Sequence, residues 1–145
     1  MFNPNVTVKN MVTTPTAHAL IALLARVFMA YIFLIAGWGK INAYAGTAGY
    51  MEMMGIPGSL LPLVILIEIG GGLALLVGFQ TRIVALGLAI FTLVAGMIFH
   101  VGGATPEQIT NNSIHLMKNI AITGGFLFVM LQGAGKFSID NAIEK

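Results

Sequence analysis

Several ionisable and amide side chains interrupt or border the apolar stretches of this chain, and their chemistry suits proton transfer and hydrogen bonding to oxygen atoms. Glu68 stands in a long apolar run beside three glycines, and a carboxylate there can take up or release a proton. Arg26 interrupts another apolar run, and its guanidinium offers only hydrogen-bond donors. We therefore predict Glu68 and Arg26 as catalytic residues. The predicted substrate-binding residues, which lie near the ends of the apolar runs, are Trp38, Lys40, His100, Lys118 and Asn119.

The composition indicates that these groups lie within a membrane. The 145 residues are 57% hydrophobic and 8% charged, whereas soluble domains carry about 25% charged residues. The net charge is only +2, with no cluster of basic residues, which argues against nucleic acid as a partner. The absence of cysteine excludes disulfides, thiolate metal sites and a cysteine redox relay.

The apolar runs are long enough to cross a bilayer. A membrane helix needs ~20 mostly apolar residues to span a hydrocarbon core of ~30 Å. Four segments meet that requirement, at about residues 17–38, 61–79, 83–100 and 114–131. The connections between them are short or of modest length. The sequence therefore predicts an all-α integral membrane protein, an antiparallel four-helix bundle.

The segments outside the four helices divide the chain further. We predict a flexible polar tail at 1–16, a membrane domain at 17–140 and a polar C-terminal tail at 141–145. Between the first two helices, "AYAGTAGYMEMMG" has apolar residues at helical spacing, followed by Gly55 as a C-cap and Pro57 as a stop. This pattern predicts a short helix, either lying on the membrane surface or packed as a cap over the bundle.

Basic residues near the helix ends predict the orientation. Lys9, Arg82, Lys136 and Lys145 lie on the side that holds both termini, and Lys40 and Lys118 lie on the other. Because cytoplasmic flanks carry the excess of Lys and Arg, we predict both termini in the cytoplasm.

The two charges in the first two helices predict a buried ion pair. Consecutive membrane helices are usually antiparallel neighbours, and at the rise of an α-helix Arg26 and Glu68 differ in height by ~6 Å. Pairing would offset the cost of placing each charge in the membrane. Gly71 and Gly72 fall on the same helix face as Glu68, which lets a neighbouring helix approach and leaves space beside the carboxylate.

The polar groups gather in the half of the bundle away from the termini, and two interpretations remain open. They either line a pocket that opens at that end or only hold the helices in register. His100 and His115 both fall near the rim, where a metal or haem is conceivable. Because isolated rim histidines are usually solvated, we predict no metal site.

The motifs together resemble the DoxX family of four-helix membrane proteins over about residues 20–140. The resemblance rests on Arg26, "GWGKI" at 37–41, "YMEMMGIP" at 50–57, "EIGGGLALLVGFQTR" at 68–82, "FH" at 99–100, "KNIAITGG" at 118–125 and "GAGKFSID" at 133–140. The family takes its name from a subunit associated with a quinone-reducing thiosulfate oxidoreductase in archaeal respiratory membranes. Its bacterial members are mostly described as inner-membrane proteins or candidate oxidoreductases. The resemblance thus implies the fold and the membrane more directly than the chemistry.

Three functions fit these features. The first is a quinone-linked redox protein or oxidoreductase subunit, in which Lys118, Asn119, His100 and Arg26 donate to quinone oxygens and Glu68 exchanges a proton. No flavin or nicotinamide fingerprint accompanies them, so electrons would come from a partner or the substrate. The second is a non-enzymatic module that assembles or stabilises a membrane partner. The third is a small-solute carrier, which with so few helices would require a homo-oligomer.

Overall fold

The computed structural model describes residues 2–144, and this part of the chain is helical, without a β-strand. The all-α prediction is confirmed. The helices are α1 (Pro4–Val12), α2 (Pro15–Asn42), α3 (Tyr44–Met53), α4 (Leu61–Val77, preceded by a 3-10 turn at Gly58–Leu60), α5 (Thr81–Phe99), α6 (Pro106–Gln132) and α7 (Ile139–Ile143).

The four long helices form an antiparallel bundle. By length and apolar composition, α2, α4 with its preceding turn, α5 and α6 can each cross a membrane. Helix α2 packs on α4 and α5 packs on α6, while contacts of α4 with α5 and of α2 with α6 close the ring. We call the end where α2 and α5 begin the termini end. The opposite end, where α4 and α6 begin, is the loop end.

Small residues bring the helices together, and large apolar residues cover the outside. Ala30 and Ala85 are fully buried in a core that also holds Phe33 and Phe126, whose ring centroids lie 5.3 Å apart. A Cβ at Gly72 would lie 2.9 Å from a methyl carbon of Leu34, so this glycine is needed for the close contact of α4 with α2. The exposed large side chains are mostly apolar, as a lipid-facing surface requires.

The segment between α2 and α4 folds as predicted. Helix α3 ends at Met53, and Gly55 adopts the left-handed conformation with φ 78° before Pro57. Met51 is buried, and the ring of Tyr50 stacks on that of Phe99 at 5.7 Å. Helix α3 therefore packs over the loop end of the bundle as a cap.

The third connection is shorter than the sequence predicted, because the last membrane helix starts earlier. Helix α6 begins at Pro106, earlier than the predicted 114. The side chain of Thr105 accepts a hydrogen bond from the Gln108 backbone N–H at 3.2 Å, and the Gln108 side chain accepts from Ala104 at 2.9 Å. These reciprocal bonds make a capping-box-like start in a segment too polar to register as a membrane span.

The N-terminal segment also differs from the prediction of a tail without regular structure. Residues Pro4–Val12 form α1, in which the Asn3 side chain accepts a hydrogen bond from Asn5 N–H at 3.0 Å. An N-cap and a proline in the first turn suffice to start a helix without an apolar stripe. No residue of α1 is buried, so hydrophobic periodicity could not reveal it.

Candidate functional site

A cavity of about 510 Å³ lies in the loop-end half of the bundle. All four membrane helices contribute to it, and α3 covers it. Its walls are mainly apolar, with Phe33, Ile67 and Phe91 among them. The polar residues that line it are Lys40, Thr47, Tyr50, Glu68, Thr92, His100 and Asn119. Of the polar groups predicted at the loop end, Glu68, His100 and Asn119 thus line a cavity.

An ion pair between α2 and α4 is the main charged feature of the cavity. Lys40 Nζ donates to Glu68 Oε1 at 2.8 Å. The Glu68 residue is only 5% exposed, whereas the Lys40 side chain remains 27% exposed. Among the described residues, no group donates to the second carboxylate oxygen, Oε2, although that atom is buried. The site therefore combines a cationic donor with an acceptor that the described protein groups leave unpaired.

The predicted pairing of Arg26 with Glu68 is wrong, although both side chains face inward. Arg26 is 1% exposed and donates from Nη1 to the carbonyls of Leu75 (3.2 Å) and Leu76 (2.9 Å), and from Nη2 to that of Phe137. These acceptors lie at the termini end, so Arg26 lies apart from the cavity.

The direction of helical side chains explains the error. Each Cα–Cβ bond tilts toward the N-terminus of its own helix. Helix α2 begins at the termini end, so Arg26 points there, whereas α4 begins at the loop end, so Glu68 points the other way. Antiparallel helices therefore direct these side chains away from each other. Lys40, near the end of α2, becomes the partner of Glu68 instead.

The C-terminal segment "GAGKFSID" completes the termini end, a role that sequence reasoning missed. The Asp140 carboxylate accepts hydrogen bonds from the backbone N–H groups of Gln80 (2.6 Å) and Thr81 (2.8 Å), and Asp140 N–H donates to Gly78 (2.9 Å). Gln80, the N-cap residue of α5, makes no capping hydrogen bond with its side chain. The Asp140 carboxylate takes the place of that cap, and no pattern near Gln80 in the sequence indicated it.

The remaining predicted site residues separate into two groups. His100 and Asn119 line the cavity, whereas Trp38 and Lys118 are exposed and do not. The rings of His100 and His115 stack with centroids 4.9 Å apart. Burial and then the nearby His115 lower the pKa of His100. Over residues 2–144, no three His, Asp or Glu side chains gather as metal ligands.

Comparison with known proteins identifies the family. A family model described as DoxX matches residues 21–101. This chain belongs to the DoxX family. It is 53% identical over 123 residues to inner membrane protein YqjF of Escherichia coli strain K12, a match that covers 85% of this chain and 92% of YqjF. It is 32% identical over 127 residues to inner membrane protein YphA of the same strain, with 86% and 91% covered. No solved structure matches the chain.

These matches establish that the chain is an inner membrane protein of the DoxX family. The region matched by the DoxX model contains Arg26 and both members of the Lys40–Glu68 pair, together with His100. The matched region ends before α6, so Asn119 and the C-terminal segment lie outside the match. Chemically, this DoxX-family site can hold an apolar molecule in its walls, donate a hydrogen bond from Lys40 and accept one at Glu68.

Proposed function

We propose that this protein binds a quinone in the loop-end cavity and acts as a quinone-linked redox protein or as a subunit of an inner-membrane oxidoreductase. One observation carries the proposal: an apolar cavity inside the bundle is lined by the partly buried Lys40–Glu68 ion pair. In this role Lys40 donates to a quinone oxygen, and Glu68 takes up or releases a proton.

The size and the walls of the cavity fit a ring with an apolar tail. Ligand sites have volumes of ~300–1,000 Å³ and are mostly apolar, with a few polar groups that fix orientation. The cavity of about 510 Å³ lies within that range. Leu63 of α4 and Val94 of α5 line it and are also exposed on the outer surface. This arrangement supports access for a lipid-soluble ligand between α4 and α5.

A quinone changes redox state only when another group exchanges electrons with it. The residues that line the cavity supply proton and hydrogen-bond groups, and the chain has no cysteine for a thiol relay. We therefore propose that the electrons come from a second substrate or from a partner oxidoreductase. A homo-oligomer is compatible with this assignment, since the cavity is formed within one chain.

The experiment is quinone binding by the purified protein in lipid nanodiscs. Organic extracts are analysed for co-purified quinone, and a short-tailed benzoquinone is titrated into protein freed of endogenous ligand. We expect binding by the natural protein, a loss of about tenfold or more in Lys40→Met because a charge-assisted hydrogen bond is removed, and no change in Lys118→Met. Lys118 lies outside the cavity, so it is a matched control. Absence of binding, or equal binding by Lys40→Met, would overturn the proposal and favour a partner-assembly role.

A further inference from the structure

A second polar group lies across the cavity from the Lys40–Glu68 pair. The pair joins α2 to α4, whereas Asn119 belongs to α6, which packs on α5. The Asn119 backbone carbonyl accepts from Thr123 at 2.8 Å, but its side-chain amide has no hydrogen-bond partner within residues 2–144. The side chain is half-buried, and neither amide atom is among the fully buried groups that lack a partner. A molecule in the cavity can therefore reach this amide, which offers it a donor and an acceptor.

The close approach of α5 to α6 fixes the position of the Asn119 amide. A Cβ at Gly96 of α5 would lie 2.8 Å from Asn119 Nδ2 and 3.0 Å from Asn119 Cβ. A larger residue at position 96 would therefore push the amide away from α5. Gly96 lies ~7.5 Å along α5 from Phe91, in the direction of the loop end. Gly96 is thus a positioning residue for Asn119.

The two polar groups lie at similar depth above an aromatic floor. Phe33 and Phe91 line the cavity with ring centroids 6.4 Å apart. A Cβ at Gly37 would lie 3.2 Å from the Glu68 Cβ, and Gly37 is about one helical turn, ~6 Å, beyond Phe33. Glu68 and Asn119 both stand on helices that begin at the loop end, so their side chains tilt toward the same end. The cavity therefore has a polar group on each of two facing walls.

We infer that the cavity holds its ligand by two oxygens on opposite edges of a flat ring, one at the Lys40 ammonium and the other at the Asn119 amide. This inference rests on the proposed function and narrows the ligand to a para-quinone. A para-quinone carries its two carbonyl oxygens on opposite edges, and both protein groups can donate to a carbonyl. Apolar side chains such as Ile67 and Ile122 line the cavity between them and suit the faces of the ring. Asn119 is then a specificity-determining residue for the arrangement of the oxygens.

The test compares ligands that differ in where their oxygens are placed. Protein in nanodiscs, freed of endogenous ligand, is titrated anaerobically with an alkyl-p-benzoquinone, the alkylhydroquinone and the alkylresorcinol, all with the same tail. The last two are isomers, and only in the hydroquinone are the two oxygens directly opposite each other. We expect the hydroquinone to bind about fivefold more tightly than the resorcinol, because the resorcinol loses one of the two hydrogen bonds.

Asn119→Leu tests the residue that carries the inference. Leucine has a similar size and no hydrogen-bonding group, so the affinity for the p-benzoquinone should fall about fivefold and the difference between the isomers should fall to within ~2-fold. Asn111→Leu makes the same change on an exposed part of α6 outside the cavity and should leave both values intact. Gly96→Ala should displace the amide and reduce the preference between the isomers in the same direction as Asn119→Leu. Thermal unfolding of each variant shows that it is folded.

The outcomes separate this inference from the proposed function. Equal affinity of the natural protein for the two isomers, with the p-benzoquinone bound, would overturn the inference and leave quinone binding in place. A preference that survives unchanged in folded Asn119→Leu would also overturn it. If Asn119→Leu does not fold, the comparison of isomers on the natural protein still decides the matter. If neither the p-benzoquinone nor the hydroquinone binds, the proposed function itself fails, and the inference fails with it.

Discussion

The buried charged residues Arg26 of α2 and Glu68 of α4 have different kinds of partner: backbone carbonyls for Arg26 and the Lys40 side chain for Glu68. A charged residue near the centre of a membrane costs at least ~2.5–3.5 kcal/mol on insertion scales. Glu68 meets that cost through an ion pair with Lys40, and both residues line the cavity. Arg26 meets it through three backbone carbonyls that no ligand can displace without opening the helix ends. The first arrangement suits binding, and the second suits structure.

This contrast predicts the order of stability of two variants. We expect Arg26→Ala to destabilise the fold by ~3 kcal/mol or more, because hydrogen bonds to charged groups contribute ~1.5–3 kcal/mol each and the variant removes the guanidinium donor from the carbonyls of Leu75, Leu76 and Phe137. Glu68→Gln keeps the shape of the side chain and an acceptor for Lys40, so its loss should be smaller. Thermal unfolding in detergent measures both. Equal destabilisation would contradict the assigned roles and favour a purely structural part for Glu68.

At the scale of the helices, the pattern of apolar runs was enough to predict four spans, their antiparallel order and a short helix between the first two, but not that this helix packs as a cap. Periodicity could not detect α1 or the first turns of α6, since neither buries an apolar stripe there. The cavity residues His100, Asn119, Glu68 and Lys40 were predicted as site residues from their position at one end. The pairing of Glu68 with Lys40 was missed because height along the helix was compared without the direction of the side chain.

The C-terminal segment is the least predictable element, because its contacts join positions far apart in the sequence. Asp140 caps the start of α5, and Phe137 supplies a carbonyl to Arg26 of α2. Gly78 has φ 70°, and a Cβ there would lie 2.5 Å from that of Ser138. The end of the predicted membrane domain is therefore docked against the start of α5 and the end of α4.

Docking of this segment should depend on pH through Asp140. Burial raises the pKa of the Asp140 carboxyl, but the N–H groups of Thr81 and Gln80 and the charge of Arg26 outweigh it, so the folded-state pKa lies below the ordinary value. A lowered folded-state pKa means that the carboxylate stabilises docking above the unfolded pKa of ~4. That contribution disappears as the pH falls through the folded-state pKa.

Hydrogen exchange of the segment 133–143, followed from neutral pH down to about pH 3, measures this dependence. We expect protection to decrease in acid in the natural protein. Asp140→Asn should show weaker protection at neutral pH and little further change in acid, because its side chain cannot titrate. Asp140→Ala controls for loss of the side chain. A natural protein whose protection is constant across that range would contradict the capping role.

For the molecule as a whole, the two ends of the bundle differ in what fills them. At the termini end, the C-terminal segment and the Arg26 hydrogen bonds join the helices, while the loop end holds the apolar cavity and its ion pair. Proton exchange at Glu68 would therefore take place with the side of the membrane that the loop end faces. The orientation of the bundle decides which compartment that is.

The distribution of basic residues predicts this orientation. Arg82, Lys9 and Lys136 lie at the termini end, together with Lys145, which falls outside the described residues. Lys118 and Lys40 are on the loop-end side, and Lys40 is held against Glu68 within the bundle, so its charge is balanced there. Because cytoplasmic flanks carry the excess of Lys and Arg, we expect both termini in the cytoplasm and the cavity in the periplasmic half of the membrane.

Paired reporter fusions measure the orientation directly. A fluorescent protein that folds only in the cytoplasm should be active at the C-terminus, and alkaline phosphatase, which requires the periplasm, should be inactive there. Phosphatase fused after Ala104, between α5 and α6, is the reciprocal control and should be active. Active phosphatase at the C-terminus would reverse the orientation, and the proton exchange proposed for Glu68 would then involve the cytoplasm. The reporter result therefore also identifies the compartment with which the proposed quinone site would exchange protons.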